Sequence, residues 1–439
     1  MTTNKKSRKY LKIVGYNLLV IFSLFCILEL GLNYYLNNPS SAPSWLKQSL
    51  ISYYSNCDRK IIQYLPECAH YSDELYYELN PGEFRFSNRE FDNQYSINTA
   101  GFRDDEFSLE HPKIVVLGDS YSMGWGVDQN ESFPQIIERK LGLKTLNTGV
   151  SSYGTAREVH SLKKVNMDSL QYVILQYCPN DFNENKQFFI TNDSLVISSE
   201  DSWNKNSSHH SSTTDYYLFK HTYHILSSFR KSTPLQVKRA SSKANISISE
   251  EHAFLNVLKK TRYIPDHVQI VLFSLESESC HNYFITKVQK LLEKEHGSSL
   301  HDRISFIDLT GEITKKERFF MDPHINKIGH QVVAEKIISH IKSLDLTNEK
   351  EYWHYENGQL GYVCDYKNGV KHGTFTSYWI NGNLSRIGHY ENGVKQGEEV
   401  NYNEKGGMSE RKHYINDVLS GIHITYDSIG KVIDSIYIE

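Results

Sequence analysis

Apolar positions along this chain follow three different patterns. From Ile13 to Leu36 they run almost without interruption. From residue 113 to 342, short β-branched runs that stop at small polar residues alternate with stretches whose apolar residues recur at helical spacing. From about residue 350 onward, aromatic and polar residues alternate, with tyrosines at 366, 378, 390, 402, 414 and 426, twelve apart. The chain therefore reads as a membrane-length helix, an α/β unit and a β repeat array, in that order.

In the middle part, Lys113 to Gly126 (KIVVLGDSYSMGWG) is an apolar run that ends at Gly118-Asp119-Ser120. Similar strands are predicted at Lys144–Gly149, at Tyr172–Asp181, and at Ile304–Asp308, the last followed by a loop ending in Met321-Asp322-Pro323-His324. Helices are predicted over 133–141, 155–165, 285–295 and 327–342. Strands alternating with helices imply a parallel sheet, and such sheets carry their sites at the carboxyl ends of the strands. The polar clusters at Ser120, Gly149, Asn180 and His324 are thus expected to converge on one edge.

The order Ser120, Gly149, Asn180, His324 resembles the SGNH, or GDSL-type, hydrolase family, over roughly residues 80 to 342 and including Gly101-Phe102-Arg103 ahead of the first strand. The resemblance implies a three-layer α/β domain and a serine esterase. Ser120 would be the nucleophile, His324 the general base and Asp322 its partner, while the Ser120 and Gly149 backbone N–H groups and the Asn180 amide form the oxyanion hole. Many members space acid and base as Asp-x-x-His, whereas here only Pro323 lies between them, so Asp308 and Asp181 stay open as ring-orienting groups. His330, in Gly329-His330, is assigned to packing, and Asp119 to loop stabilisation. The chemistry explains the residue types. A hydroxyl needs a base to become nucleophilic, and fixed donors stabilise the developing oxyanion. No metal or cofactor is required.

Composition narrows the setting. A net charge of −4 provides no general electrostatic attraction to nucleic acid or anionic membranes. Ile13 to Leu36 is 24 residues long, roughly 36 Å as a helix, enough to cross a hydrocarbon core of about 30 Å. Lys5, Lys6, Arg8, Lys9 and Lys12 precede it and the next basic residue is Lys47, so the positive-inside rule places residues 1–12 in the cytoplasm and the rest outside. A cleaved signal peptide is the competing reading, but Leu32 to Leu36 has no small-x-small site. Glu29 is expected to snorkel or to face a partner helix. Of six cysteines, Cys57 and Cys68 are candidates for a local disulfide outside the membrane, and Cys178 reads as a small buried hydrophobe.

Residues 37–112 read as a stalk plus an N-terminal layer, and 113–345 as the hydrolase-like domain. Within that domain, Ser198–Asp215 and Lys231–Glu251 are polar enough to be loops, and His209 and His210 a solvated pair rather than metal ligands. Residues 346–439 carry Asn-Gly turn signals, as at Asn381-Gly382 and Asn392-Gly393, which mark hairpins. This part resembles MORN-type repeats at Tyr366–Gly373 and Tyr390–Gly397, with Asp417 replacing a turn glycine in the last units. Its tyrosines are expected to stack as a thin core, to contact a protein or glycan, or to self-associate.

The expected function is a membrane-anchored extracytoplasmic esterase that removes acyl groups, acetyl foremost, from a carbohydrate. An O-acyltransferase using the same triad and an inactive surface scaffold holding a partner through the repeats are the alternatives.

Overall fold

Two units are distinguished in the computed structural model, residues 1–338 and 339–439. The residues described are 2–230, 248–275, 283–294, 300–346, 348–367 and 370–438. Most of the stretch 231–251 that reads as a polar loop, and residues 368–369 within the repeat resemblance at Tyr366–Gly373, lie outside them.

The chain opens with helix α1 (Thr2–Asn37), followed by α2 (Ser44–Tyr53) and two small hairpins, β1 (Ala69–Ser72) with β2 (Tyr76–Leu79) and β3 (Gly82–Asn88) with β4 (Phe91–Ile97). Then come β5 (Ile114–Leu117), the short helix α3 (Ser120–Met123), α4 (Phe133–Leu141), β6 (Thr145–Asn147), α5 (Thr155–Ser161), β7 (Tyr172–Tyr177) and α6 (Asp181–Ile190). They are followed by α7 (Glu200–Thr214), α8 (Lys220–Arg230), α9 (Glu250–Thr261), β8 (Gln269–Ser274), α10 (Tyr283–Lys294), β9 (Ile304–Phe306) and α11 (Lys327–Leu346).

Strands β5 to β9 form a parallel sheet in the order β6-β5-β7-β8-β9. Every residue of β5 and of β7 is buried, as a parallel sheet covered on both faces requires. One face presents Val115, Leu117, Val173, Leu175, Ile270 and Leu272 to a core shared with α5, α9 and α10. The other face carries Phe273, whose ring meets Phe133 of α4, which in turn stacks on His330 of α11. Helices on both faces make the fold the expected three-layer α/β class. The strand order reverses at β5, so the crevice beyond the ends of β5 and β7 is the topological switch point where ligands of such sheets bind.

Three expectations are corrected. Residues 200–214 are helix, not loop: Ser199 accepts from the Ser202 N–H as an N-cap, and Trp203 and Ser207 alone on α7 are buried, too few to show as an apolar stripe. Cys57 and Cys68 are not joined in a disulfide: Cys68 is buried in the main core, and Cys57 Sγ lies 3.4 Å from His224 Nδ1. Of the stalk plus N-terminal layer expected over 37–112, the part directly after α1 is packed. Ala42, Leu46, Leu50, Tyr53 and Tyr54 pack with Leu32 and Leu36 of α1, with Ile225 of α8 and with Met321 in one buried cluster.

The second unit is an antiparallel sheet. Its strands are β10 (Asn348–His354), β11 (Leu360–Lys367), β12 (Val370–Tyr378), β13 (Leu384–Glu391), β14 (Val394–Lys395), β15 (Gly397–Tyr402), β16 (Met408–Ile415), β17 (Val418–Leu419), β18 (Gly421–Tyr426) and β19 (Val432–Ile438). They pair in chain order, the two short strands β14 and β17 closing onto β13 and β16. The geometric repeat is twice the tyrosine interval. One turn type recurs at Tyr355–Gln359, Trp379–Asn383, Asn403–Gly407 and Asp427–Lys431, closed each time by a backbone N–H from the first residue to the carbonyl of the fifth. Its glycines Gly358, Gly382, Gly406 and Gly430 all have φ between +82° and +86°, which favours glycine there. The opposite turns use Asn392-Gly393 and Asn416-Asp417, and Asp417 takes the left-handed conformation at φ +66°.

The twelve-spaced tyrosines are half-buried, and of them Tyr390 alone joins the aromatic column seen among the described residues, which otherwise runs through Trp353, Tyr362 and Phe375. Lys371 over Tyr390 and Lys395 over Tyr414 repeat the same cation–π contact one 24-residue unit apart.

Candidate active site

Strand β5 ends at Gly118, and the chain turns so tightly there that a Cβ on Gly118 would lie 2.2 Å from Ser122 Oγ and 2.5 Å from Gln176 Oε1. Asp119 caps the short helix that follows, accepting from the Tyr121 N–H at 3.0 Å. Ser120 is therefore the first residue of a helical turn at the carboxyl edge of the sheet, 8% exposed.

His324 arrives from the loop between β9 and α11. Its Nε2 is 2.7 Å from Ser120 Oγ, and its Nδ1 is hydrogen-bonded to Asp322 Oδ1. The one-residue spacing is accommodated because Asp322 also accepts the His324 backbone N–H at 3.1 Å, which folds the short loop onto itself. The other carboxylate oxygen of Asp322 accepts from Tyr54 Oη at 2.7 Å and Trp125 Nε1 at 3.2 Å. Burial alone would raise this carboxyl. The charge of the His324 ring and the hydrogen bonds from that ring and Tyr54 outweigh it and hold Asp322 below the ordinary carboxylate range.

The alternatives for orienting the ring are elsewhere. Asp308 is exposed and accepts from the Thr310 N–H, and Asp181 is buried against Thr155 Oγ1 at 3.1 Å. Burial, with the nearby Asp119 charge, raises Asp181 well above the usual range. His330 accepts the Phe133 N–H at 3.2 Å, and burial, with the charge of Arg103, pushes it down to about 3, so its ring is a neutral packing element.

Gly149 lies against the turn that carries Ser120: a Cβ there would sit 2.4 Å from the Met123 nitrogen, so only glycine permits the approach. Its N–H donates to Asn147 Oδ1 at 3.0 Å, so it would have to exchange that partner to serve an oxyanion. Asn180 follows β7 and is exposed at the start of α6, its side chain hydrogen-bonded to Asp119. Ser120 and Asn180 thus flank the switch-point crevice between β5 and β7.

Four residues that sequence reasoning passed over hold this arrangement. Trp125 stacks on the His324 ring, centroids 4.8 Å apart and planes 18° from parallel. Tyr54 comes from the segment just after α2. Glu90, in the β3–β4 turn, accepts the backbone N–H groups of Phe320, Met321 and Asp322 at 2.7–2.9 Å and so fixes the loop that carries Asp322. Arg318 donates to the Pro323 carbonyl at 2.6 Å. Of these, only Trp125 had a local signal, its place between two glycines just after Ser120. Arg103 of the Gly-Phe-Arg element is fully buried, lies over the Tyr95 ring and donates to the carbonyls of Gly124 and Val127, holding the loop on which Trp125 sits.

The molecule is thus an α/β protein with a hydrogen-bonded serine, histidine and aspartate at the switch point of a parallel sheet. No family model matches the chain, and no curated protein matches it. Among solved structures it is similar to a putative lipolytic protein of the G-D-S-L family from Desulfitobacterium hafniense DCB-2, at 13% identity over 52% of this chain and 98% of that one, TM-score 0.28. It is also similar to a family two carbohydrate esterase from Clostridium thermocellum in complex with cellohexaose (14% identity, 54% and 64% covered, TM-score 0.31). A third is an extracellular lipase from Streptomyces rimosus (14%, 52% and 98%, TM-score 0.28).

Proposed function

We propose that this protein is a membrane-anchored serine esterase of the SGNH type that removes acyl groups, acetyl foremost, from a carbohydrate outside the cytoplasmic membrane. The observation that carries the reading is the chain of contacts from Ser120 Oγ through both nitrogens of His324 to Asp322. In the proposed cycle, His324 takes the Ser120 proton as the hydroxyl oxygen attacks the ester carbonyl. Asp322 stabilises the imidazolium, and the Ser120 and Gly149 N–H groups with the Asn180 amide receive the oxyanion. His324 then protonates the departing alcohol, and water repeats the sequence on the acyl-serine. The glycan part of the substrate follows from the resemblance and the location, and the repeat sheet is read as a MORN-like extension available to a protein or glycan.

The anchor reading is supported by the surface of α1. From Ile13 to Leu30 its side chains are exposed apart from Cys26 and Glu29, about 27 Å of helix, while Leu32 and Leu36 are buried in the fold. A helix whose last turns belong to the core of the domain fits an uncleaved anchor. Basic residues Lys9 and Lys12 at its start support the reading of that end as cytoplasmic.

The test uses the purified full chain with a fluorophosphonate probe, then an acetylated oligosaccharide together with an acceptor glycan. Labelling of wild type but not of Ser120→Ala, with release of free acetate, is expected. Acetylated acceptor in place of acetate would make the protein a transferase, and absence of labelling would leave a scaffold.

A further inference from the structure

Helix α8 and the turn before it form a second apolar surface beside α1. Polar α7 ends at Thr214 with exposed Asp215 as its C-cap, and the residues after that, Tyr216, Tyr217 and Leu218, are about half or more exposed, Leu218 at 64%. Phe219 takes a left-handed φ of +64°, a strained conformation for an aromatic residue. Its ring thereby meets both Phe22 and Phe25 of α1, with centroids 5.8 Å away in each case. The outward face of α8 continues the surface with Tyr223, Leu226 and Phe229, and Phe229 lies beside exposed Trp45 of α2. Contiguous exposed apolar surface of this kind marks an interaction site.

The polar atoms under this surface are satisfied from within. Glu29, 6% exposed in the middle of an apolar helix, accepts from the backbone N–H groups of His221 and Thr222, from Thr222 Oγ1 and from Tyr216 Oη. Tyr217 Oη pairs with His224 Nε2, and Ser227 and Ser228 donate to carbonyls one turn back on their own helix. Lys220 is buried and donates to the carbonyls of Cys57, Thr213, Thr214 and Asp215, pinning the turn from the protein side. Apolar rings facing out, with Glu29, Tyr216, Tyr217, Lys220 and the α8 serines paired inward, is what a segment in hydrocarbon needs, since no water there can complete a hydrogen bond, and the exposed Tyr223 hydroxyl then belongs at the headgroup level.

The geometry points to Tyr216–Phe229 as a second membrane-inserted element, which seats the catalytic unit in the outer leaflet beside α1. The occupant is the bilayer because the surface is continuous with the lipid-length face of α1 and reaches the right depth. Phe25 and Phe22 lie five and eight residues below Leu30, so Phe219 sits about 8–12 Å beneath the end of the exposed stretch, close to the immersion of interfacial helices, about 5–10 Å. This inference rests on the reading of α1 as a spanning helix.

The test is depth-dependent quenching by brominated lipids in nanodiscs holding one copy of the full chain. Tryptophan is introduced singly in Leu218→Trp, in Leu24→Trp on α1, and in Asn204→Trp on the polar face of α7, with the wild-type signal subtracted. Leu218→Trp and Leu24→Trp should each lose about half of the added emission, and Asn204→Trp none. Quenching of Leu24→Trp without Leu218→Trp overturns the second element and leaves the anchor standing. No quenching of either overturns the anchor itself. A Leu218→Trp signal insensitive to lipid bromine but blue-shifted with rising protein concentration in detergent would assign the surface to a second copy instead.

Discussion

The two units use β-structure in opposite ways. In the first, β5 and β7 are buried from end to end and owe their position to helices far away in sequence. In the second, each long strand pairs with its sequence neighbours, and few residues apart from Cys364, Phe375 and Glu399 have their side chains buried. A covered sheet can hold distant side chains to a few tenths of an ångström, and that is where the candidate chemistry sits. A one-layer sheet presents area and repeats it. Their carboxylates differ as well. Burial pushes Asp104 in the first unit up to about 7, whereas Glu410 in the second is lowered because hydrogen bonds from Lys412, Asn401 and His423 outweigh a smaller burial.

The strongest way to sharpen this contrast is chemical. Ser120→Ala or His324→Ala should lower turnover on a small acetyl ester by roughly 10⁴-fold or more with the melting transition unchanged. Rates near wild type would remove the first unit's claim to chemistry.

Next comes pH. Asp104, raised in the folded state, contributes stability that is fully present below its unfolded pKa and lost as pH rises toward about 7. Asp104→Asn should flatten that loss, on the order of a few kcal/mol in total, read as melting temperature against pH. Glu410 has the opposite sign: its contribution is present above the unfolded carboxylate pKa and disappears as pH falls through the lowered value. Acid should therefore loosen the repeat sheet while relieving the buried acid of the first unit.

Smaller effects follow. Asn180→Ala should cost about 10²-fold in kcat. Tyr54→Phe, which removes one donor from Asp322, should cost about 5–10-fold with little change in KM. Smallest of all, removing residues 403–439 should leave the rate on a small ester within about twofold, because those strands bury little and pair locally. A large loss on that truncation would show that the repeats do more than extend the chain.

Much of the first unit was legible. Ile114–Leu117, Thr145–Asn147, Tyr172–Tyr177 and Ile304–Phe306 announce themselves as apolar runs closed by small polar residues. Gln269–Ser274 is just as apolar, but no candidate functional residue follows it, and a reading guided by chemistry passed it by. Helix α7 was hidden because it buries almost nothing. Tyr54 and Glu90 lie 268 and 232 residues before Asp322, and no periodicity encodes which distant partner a side chain will meet. The doubled repeat was concealed for a related reason: tyrosine spacing records strand length, while alternation between two turn geometries is visible only in the backbone angles.

One of those long-range contacts reaches beyond the site. Tyr54 belongs to the same packed cluster as Leu32 and Leu36, and its hydroxyl donates to Asp322. With α1 set in a bilayer, a lipid too thin or too thick for its apolar length would tilt the helix. If that cluster carries the tilt to Asp322, turnover should vary with acyl-chain length even for an ester dissolved in water.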